Sequence, residues 1–185
     1  IRGVLTALTV LFGAMAVQPW PPWRALPFAL VFLTHDTASN LVGTLRDVDG
    51  DREGGYATVP VRRGLRRATH TAAALYLAAV AVACAATGLV PRDTAGYLVL
   101  LSAAALCGAG AFGLLLRSPG HLAPALALRA HAVLVAERLV LAAAVVAAGA
   151  GAAPALALLT PLLAVSVITQ SRMRSRHEFS APPLT

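Results

Sequence analysis

Six long apolar segments constrain this chain more than any other feature: residues 3–18, 25–45, 68–90, 95–116, 123 or 130–150, and 154–171. Most approach the ~20 residues a helix needs to cross the hydrocarbon core of a bilayer. Ala, Leu and Val dominate them without strict alternation, which disfavours strands. Breaks such as PWPPW, VPRD, RSPGH and GAGAAP carry the Pro and Gly that end helices. No fixed-period repeat stands out. A soluble helical core would need polar outer faces, and with 12% charged residues the chain has too few to make them. The expected fold class is all-α, a multi-pass transmembrane bundle of about six spanning helices. Arg2 followed by an apolar run and Ala14-Met15-Ala16 also fits a signal peptide, but the segments that follow favour a first span.

Lysine is absent, so the net charge of +7 comes from arginine alone. With six spans, one side of the membrane receives Arg2, the loop 46–67, the link 117–129 and the tail 172–185. These hold twelve arginines, against Arg24 and Arg92 on the other side, with Arg138 assigned to neither. The positive-inside rule makes the first side cytoplasmic and the protein a resident of the cell membrane. Basic stripes interleaved with aromatics, as nucleic-acid binding requires, are missing, so no nucleic-acid partner is expected. Cys84 and Cys107 lie in apolar runs and read as small buried side chains.

The second segment is polar along one face. Asp36, Asn40, Gly43/Thr44, Asp47 and Asp51 recur at spacings of three and four, so a continuous helix would align them. Polar groups at membrane depth need a partner or a water-filled cavity. Asp47 and Asp51 form D-x-x-x-D, two carboxylates about one turn apart that repel unless a cation sits between them. Mg2+ suits such a site, because it takes one or two carboxylates and fills its sphere with water and phosphate oxygens. Asp49 is the weaker third candidate. Arg46, Arg52, Arg62 and Arg63 offer bidentate bonds to phosphate, and Gly50, Gly54 and Gly55 allow a tight turn. The bland alternative is a solvated loop with internal ion pairs.

The stretch RDVDGDREGGYATVPVRRG resembles the second aspartate-rich motif of the UbiA-type intramembrane prenyltransferases. The matching positions are Asp47, Asp51, Gly54 or Gly55, and TVPVRRG from Thr58 to Gly64. The tail QSRMRSRHEF is also similar to bacterial members. The resemblance implies a bundle of about nine helices around one cavity. It implies Mg2+ at Asp47 and Asp51 holding the diphosphate of a polyprenyl donor, and a lipophilic, aromatic or similar acceptor. Substrate contacts are expected from Asn40, Asp36, Arg46, Arg52 and Arg62. The family's first motif, N-x-x-x-D-x-x-x-D, does not occur here, since Asn40 is followed four residues on by Thr44. The expectation is therefore one transmembrane domain, 1–185, forming the C-terminal part of a longer prenyltransferase. Four apolar segments follow the motif, where the family usually has three.

Other polar residues read as structural. Glu137 and Arg138 suit a buried pair or a span end. His131 and His121 lack metal-like spacing. His35 and Asp36 are helix neighbours, a poor geometry for contact. Trp20 and Trp23 fit an interfacial belt. The competing functions are a membrane terpene cyclase acting on the same donor, a small multi-pass cation transporter using Asp36, Asn40 and Asp47, and a structural membrane subunit.

Overall fold

The computed structural model describes residues 2–16, 20, 22–118 and 122–177, with 174–177 as backbone only. His121 and the last residues of the tail lie outside the described residues. Those described form helices and no strands. α1 is Arg2–Met15, α2 Ala25–Thr44, α3 Val48–Glu53, α4 Val59–Arg63, and α5 Leu65–Ala85 with a 3-10 turn, Ala86–Leu89. α6 is Thr94–Leu116, α7 Pro124–Ala150, and α8 Ala152–His177.

Local chemistry sets several of these boundaries. Pro124 opens α7 at a position where a missing N–H costs nothing. Gly151, at φ +99°, lets the chain turn from α7 directly into α8. Asp93 serves two helices at once. Its Oδ1 accepts from the N–H of Gly96 at 2.7 Å, capping α6, and its Oδ2 accepts from the N–H of Ala152 at 2.9 Å, at the start of α8.

α2, α5, α6 and α7 make the packed centre, with α1 laid on α2 and α8 on α7. Small residues allow close approach. Gly108 of α6 lies against Tyr76 of α5. The Tyr76 hydroxyl donates to the Ala104 carbonyl at 3.2 Å, and that of Tyr97 to Ala83 at 2.6 Å. The core divides into two apolar clusters. One gathers Ala38, Leu41, Val42, Ala72, Tyr76, Phe112 and Leu134, and the other Val31, Phe32, Tyr97, Leu101, Leu141 and Ala144. Buried polar groups of α2 and α7 lie between them along the chain: His35, Asp36 and Glu137.

Among the described residues, four helices are long and apolar enough to cross a membrane: Leu65–Leu89, Thr94–Leu116, Pro124–Ala150 and Ala152–Met173. Six were expected. α1 has 14 residues, a rise of about 21 Å. The polar second half of α2 lowers its apolar character. Cys84 and Cys107 are exposed on the bundle's outer surface rather than buried. A membrane helix is apolar on its lipid face too, so an apolar neighbourhood in sequence does not place a cysteine inside.

Candidate functional site

The polar helix does not run on through the acidic stretch. α2 stops at Thr44, and Asp47, at φ −102° and ψ 18°, leaves helical geometry before α3 begins. A continuous helix would crowd Asp47, Asp49 and Asp51 at the negative end of the α2 dipole. The break instead puts Asp49 and Asp51 in the first turn of α3, where carboxylates are favoured. Asp47 and Asp51 still sit one turn apart, joined by a 2.7 Å bond from the Asp51 N–H to the Asp47 carbonyl. Leu45, Val48 and Pro60 are buried and anchor this segment. Gly55 and Gly64, at φ +72° and +81°, make its turns.

The charged groups divide into local pairs. The Arg46 guanidinium forks onto Asp47, with Nε at 2.8 Å from Oδ1 and a terminal nitrogen at 3.1 Å from Oδ2. Arg52 reaches Asp49 at 3.0 Å, both well exposed. Asp51 is half-buried, and its carboxylate makes no ion pair among the described residues. The hydroxyl oxygen of Thr58, in the TVPVRRG tract, is buried without a hydrogen-bond partner among them.

Two clefts border the acidic stretch. One, of about 300 Å³, is lined by Asn40, Gly43, Thr44, Arg46 and Asp47 together with Arg2 of α1 and His131 of α7. The second, of about 480 Å³, is lined by Arg46, Val48, Asp49, Arg52, Pro60 and Gly64, among others. Arg46 borders both. The fold thus gathers Asn40, Arg46 and Asp47 at one cleft, and Asp49 and Arg52 at the next. Asp51 and the exposed Arg62 line neither. No group of three His, Cys, Asp or Glu side chains among the described residues is arranged to hold a metal ion.

His131 is the cleft residue that spacing alone missed. Its Nδ1 lies 3.0 Å from the Ser39 carbonyl, which can only accept, so Nδ1 carries the proton. Gly43 leaves room for the ring, since a Cβ there would stand 3.3 Å from His131 Cε1. The signal lay in the pairing of α2 with α7, which periodicity along either helix does not reveal.

Asp36 sits deeper than Asn40 and lines neither cleft. Its carboxylate accepts from the Thr6 hydroxyl of α1 and from Arg138 of α7 at 3.1 Å. His35 Nε2 meets Glu137 Oε2 at 2.5 Å, with both side chains buried. Its Nδ1 lies only 3.4 Å from Asp36, the weak contact expected of helix neighbours. These groups pin α1 and α7 to α2, in line with the structural reading of Glu137 and Arg138.

Residues 1–133 match the UbiA prenyltransferase family. The chain belongs to that family. A similar curated protein is the digeranylgeranylglyceryl phosphate synthase of Ignicoccus hospitalis, 32% identical over 114 residues. The matched part is 55% of this chain and 38% of that relative, so the chain spans well under half of it. No solved structure matches. In this UbiA family member the acid–arginine stretch is the loop that borders both clefts, and the apolar helices make it a membrane protein.

Proposed function

We propose that this chain is part of an intramembrane prenyltransferase, and that its 46–67 loop holds the diphosphate of a polyprenyl donor. The carrying observation is that the family's acidic loop borders a polar cleft, lined by Asn40, Thr44, Arg46, Asp47 and His131, at the end of a bundle of apolar helices. Such a site receives a charged head at its mouth and an apolar tail within. Arg46, shared by both clefts, is positioned to bind phosphate oxygens, with Arg52 and Arg62 further along the loop. The buried Thr58 hydroxyl, unpartnered among the described residues, is a donor that a phosphate oxygen would satisfy.

The donor set fits Mg2+. It is oxygen-only, it places two carboxylates one turn apart, and it leaves the Asp51 carboxylate outside any described ion pair. Asp47 and Asp51 would hold the ion, with Asp49 nearby. An ion held there would supply positive charge to offset the negative charge of the diphosphate. The residues do the remaining work. Arg46 stabilises the negative charge that develops on the leaving group. Asn40 and His131 line the wall facing it and orient the acceptor. The Ala-, Leu- and Val-rich interior keeps water from the allylic cation, which the lipophilic acceptor attacks. Within this reading, residues 1–185 form one membrane domain of a larger bundle. The 46–67 loop and the 172–185 tail lie on the cytoplasmic side.

The test is transfer of a labelled polyprenyl group into lipid-extractable product by membranes carrying the protein. Asp47→Asn and Asp51→Asn should each lower turnover by at least a hundredfold while the protein still inserts. Turnover near the parent level in both variants would refute the assignment. Omitting the acceptor separates a transferase, which then makes no product, from a cyclase, which still does.

A further inference from the structure

A second basic site lies at the same bundle end, where the loop passes into α5. Arg63 closes α4, Gly64 turns the chain, and Arg66, Arg67 and His70 follow at the start of α5. With Thr71 they line an open basin of about 580 Å³. The residues are exposed, and none of the three arginines makes an ion pair among the described residues. Glu53 and Asp51, the nearest acids in sequence, do not line the basin. His70 Nδ1 lies 2.7 Å from the Arg66 carbonyl, so that nitrogen is the donor and Nε2 is left for an outside partner.

Held alone, this arrangement is unfavourable. Arg63, Arg66 and Arg67 crowd positive charge around the basin, and like charges repel. Arg66 and Arg67 also sit in the first turn of α5, where the helix dipole disfavours positive charge. An anion in the basin reverses both penalties. A second observation says what kind of anion. Arg66 and His70 also border a narrow crevice lined by Leu65, Leu115, Leu116 and Leu122. The crevice is only about 20 Å³, so an anionic head in the basin would sit against an apolar edge of α5 and α6, as a lipid headgroup does. Both lie where a membrane-spanning helix emerges from the apolar zone.

We infer that the basin formed by Arg63, Arg66, Arg67 and His70 binds the phosphate headgroup of an anionic phospholipid. Its acyl chains run over the outer surface of α5 and α6, since the Leu65–Leu115–Leu122 crevice, at about 20 Å³, is too small to hold one. This site takes in the end of the 46–67 loop but none of its acids, and it does not depend on the prenyltransferase reading. Headgroup recognition by basic clusters at a helix end is worth roughly a fivefold gain in affinity for each arginine near the surface.

The experiment measures lipid retention by native mass spectrometry, and thermal unfolding, on the full chain purified in detergent. Phosphatidylglycerol is titrated against phosphatidylcholine of the same acyl chains. Phosphatidylglycerol should bind preferentially and raise the unfolding temperature. The Arg66→Gln/Arg67→Gln variant should weaken its binding about 25-fold, fivefold per arginine. Arg24→Gln/Arg92→Gln, at the far end of the bundle, should leave it unchanged. Leu115→Ala, outside the basin, should leave the anionic preference in place. Equal binding of the two lipids, or an anionic preference that survives Arg66→Gln/Arg67→Gln, would overturn the proposal. Displacement of bound phosphatidylglycerol by inorganic diphosphate at equal concentration would also overturn it, making the basin a diphosphate subsite.

Discussion

The tightest steric demand in the bundle is at Gly108, and replacing it by alanine tests the packing of α5 on α6. An alanine Cβ there would stand 2.7 Å from Tyr76 Cε2 and closer still to its Cζ and Oη. Ordinary carbon contacts need about 3.5–4.0 Å, so Tyr76 or the helix must move by about 1 Å. Tyr76 has little freedom to withdraw. Its ring packs on Phe112 at 5.1 Å and on His35 at 5.9 Å, and its hydroxyl bonds the Ala104 carbonyl at 3.2 Å. Overpacking of this kind costs about 1–3 kcal/mol, and a buried hydroxyl torn from its acceptor another ~1–3 kcal/mol. Alanine recovers up to ~1 kcal/mol in helix propensity. The net expectation is a destabilisation of about 2–4 kcal/mol, read by equilibrium unfolding of the detergent-solubilised protein. Gly110→Ala and Gly113→Ala lie on the same helix with nothing within 4 Å of the added Cβ, and should be neutral or slightly stabilising. A Gly108→Ala variant within about 0.5 kcal/mol of Gly110→Ala would refute the reasoning. So would strict additivity of Gly108→Ala with Tyr76→Ala, because removing the ring should remove the clash.

Asp93→Ala deletes the acceptor that serves both the Gly96 and Ala152 amides. Each lost cap costs about 1 kcal/mol, so a loss of about 2 kcal/mol is expected, with hydrogen exchange speeding at the starts of both α6 and α8; protection unchanged at Ala152 would show that α8 does not rely on it. Glu137→Leu strips His35 of its 2.5 Å partner in a buried site and should cost about 3–5 kcal/mol. The His35→Leu/Glu137→Leu pair should recover most of that loss, and a double variant no more stable than the single would disprove the coupling.

The apolar segments announced α1, α2 and α5 through α8, because a run of ~20 apolar residues has few other stable forms in lipid. The loop between α2 and α5 was legible in composition but not in shape. D-x-x-x-D predicts two acids a turn apart, and that spacing holds. The break at residues 45–47 depends on where the dipole of α2 ends and on the burial of Leu45 and Val48, which spacing does not encode. His131 and Glu137 were harder still. Each acquires its role from a partner on α2 some ninety to a hundred positions away in sequence. Helix register of that kind is set by packing, so a single chain's periodicity leaves it open. The exposed cysteines illustrate the same limit, since lipid and protein interior select for similar side chains.

The buried polar groups and the cleft belong to one structural argument. Along α2, His35 and Asp36 are followed a turn later by Ser39 and Asn40, then by Gly43 and Thr44, then by Asp47 beyond the break. The first pair is tied to Glu137 and Arg138, and the Ser39 carbonyl to His131, so two successive turns of α2 are referenced to α7. These contacts fix the rotation of α2 about its own axis. With the rotation fixed, Asn40 and Thr44 must face the cleft, and Arg46 and Asp47 must leave the helix at its rim. An apolar α2–α7 seam would slide or turn at little cost, because Leu and Ala contacts are non-directional. Directional bonds at membrane depth are costly to leave unmade, so they hold one register. The polar residues inside the bundle therefore act on the cleft from below, by holding the helix that presents it.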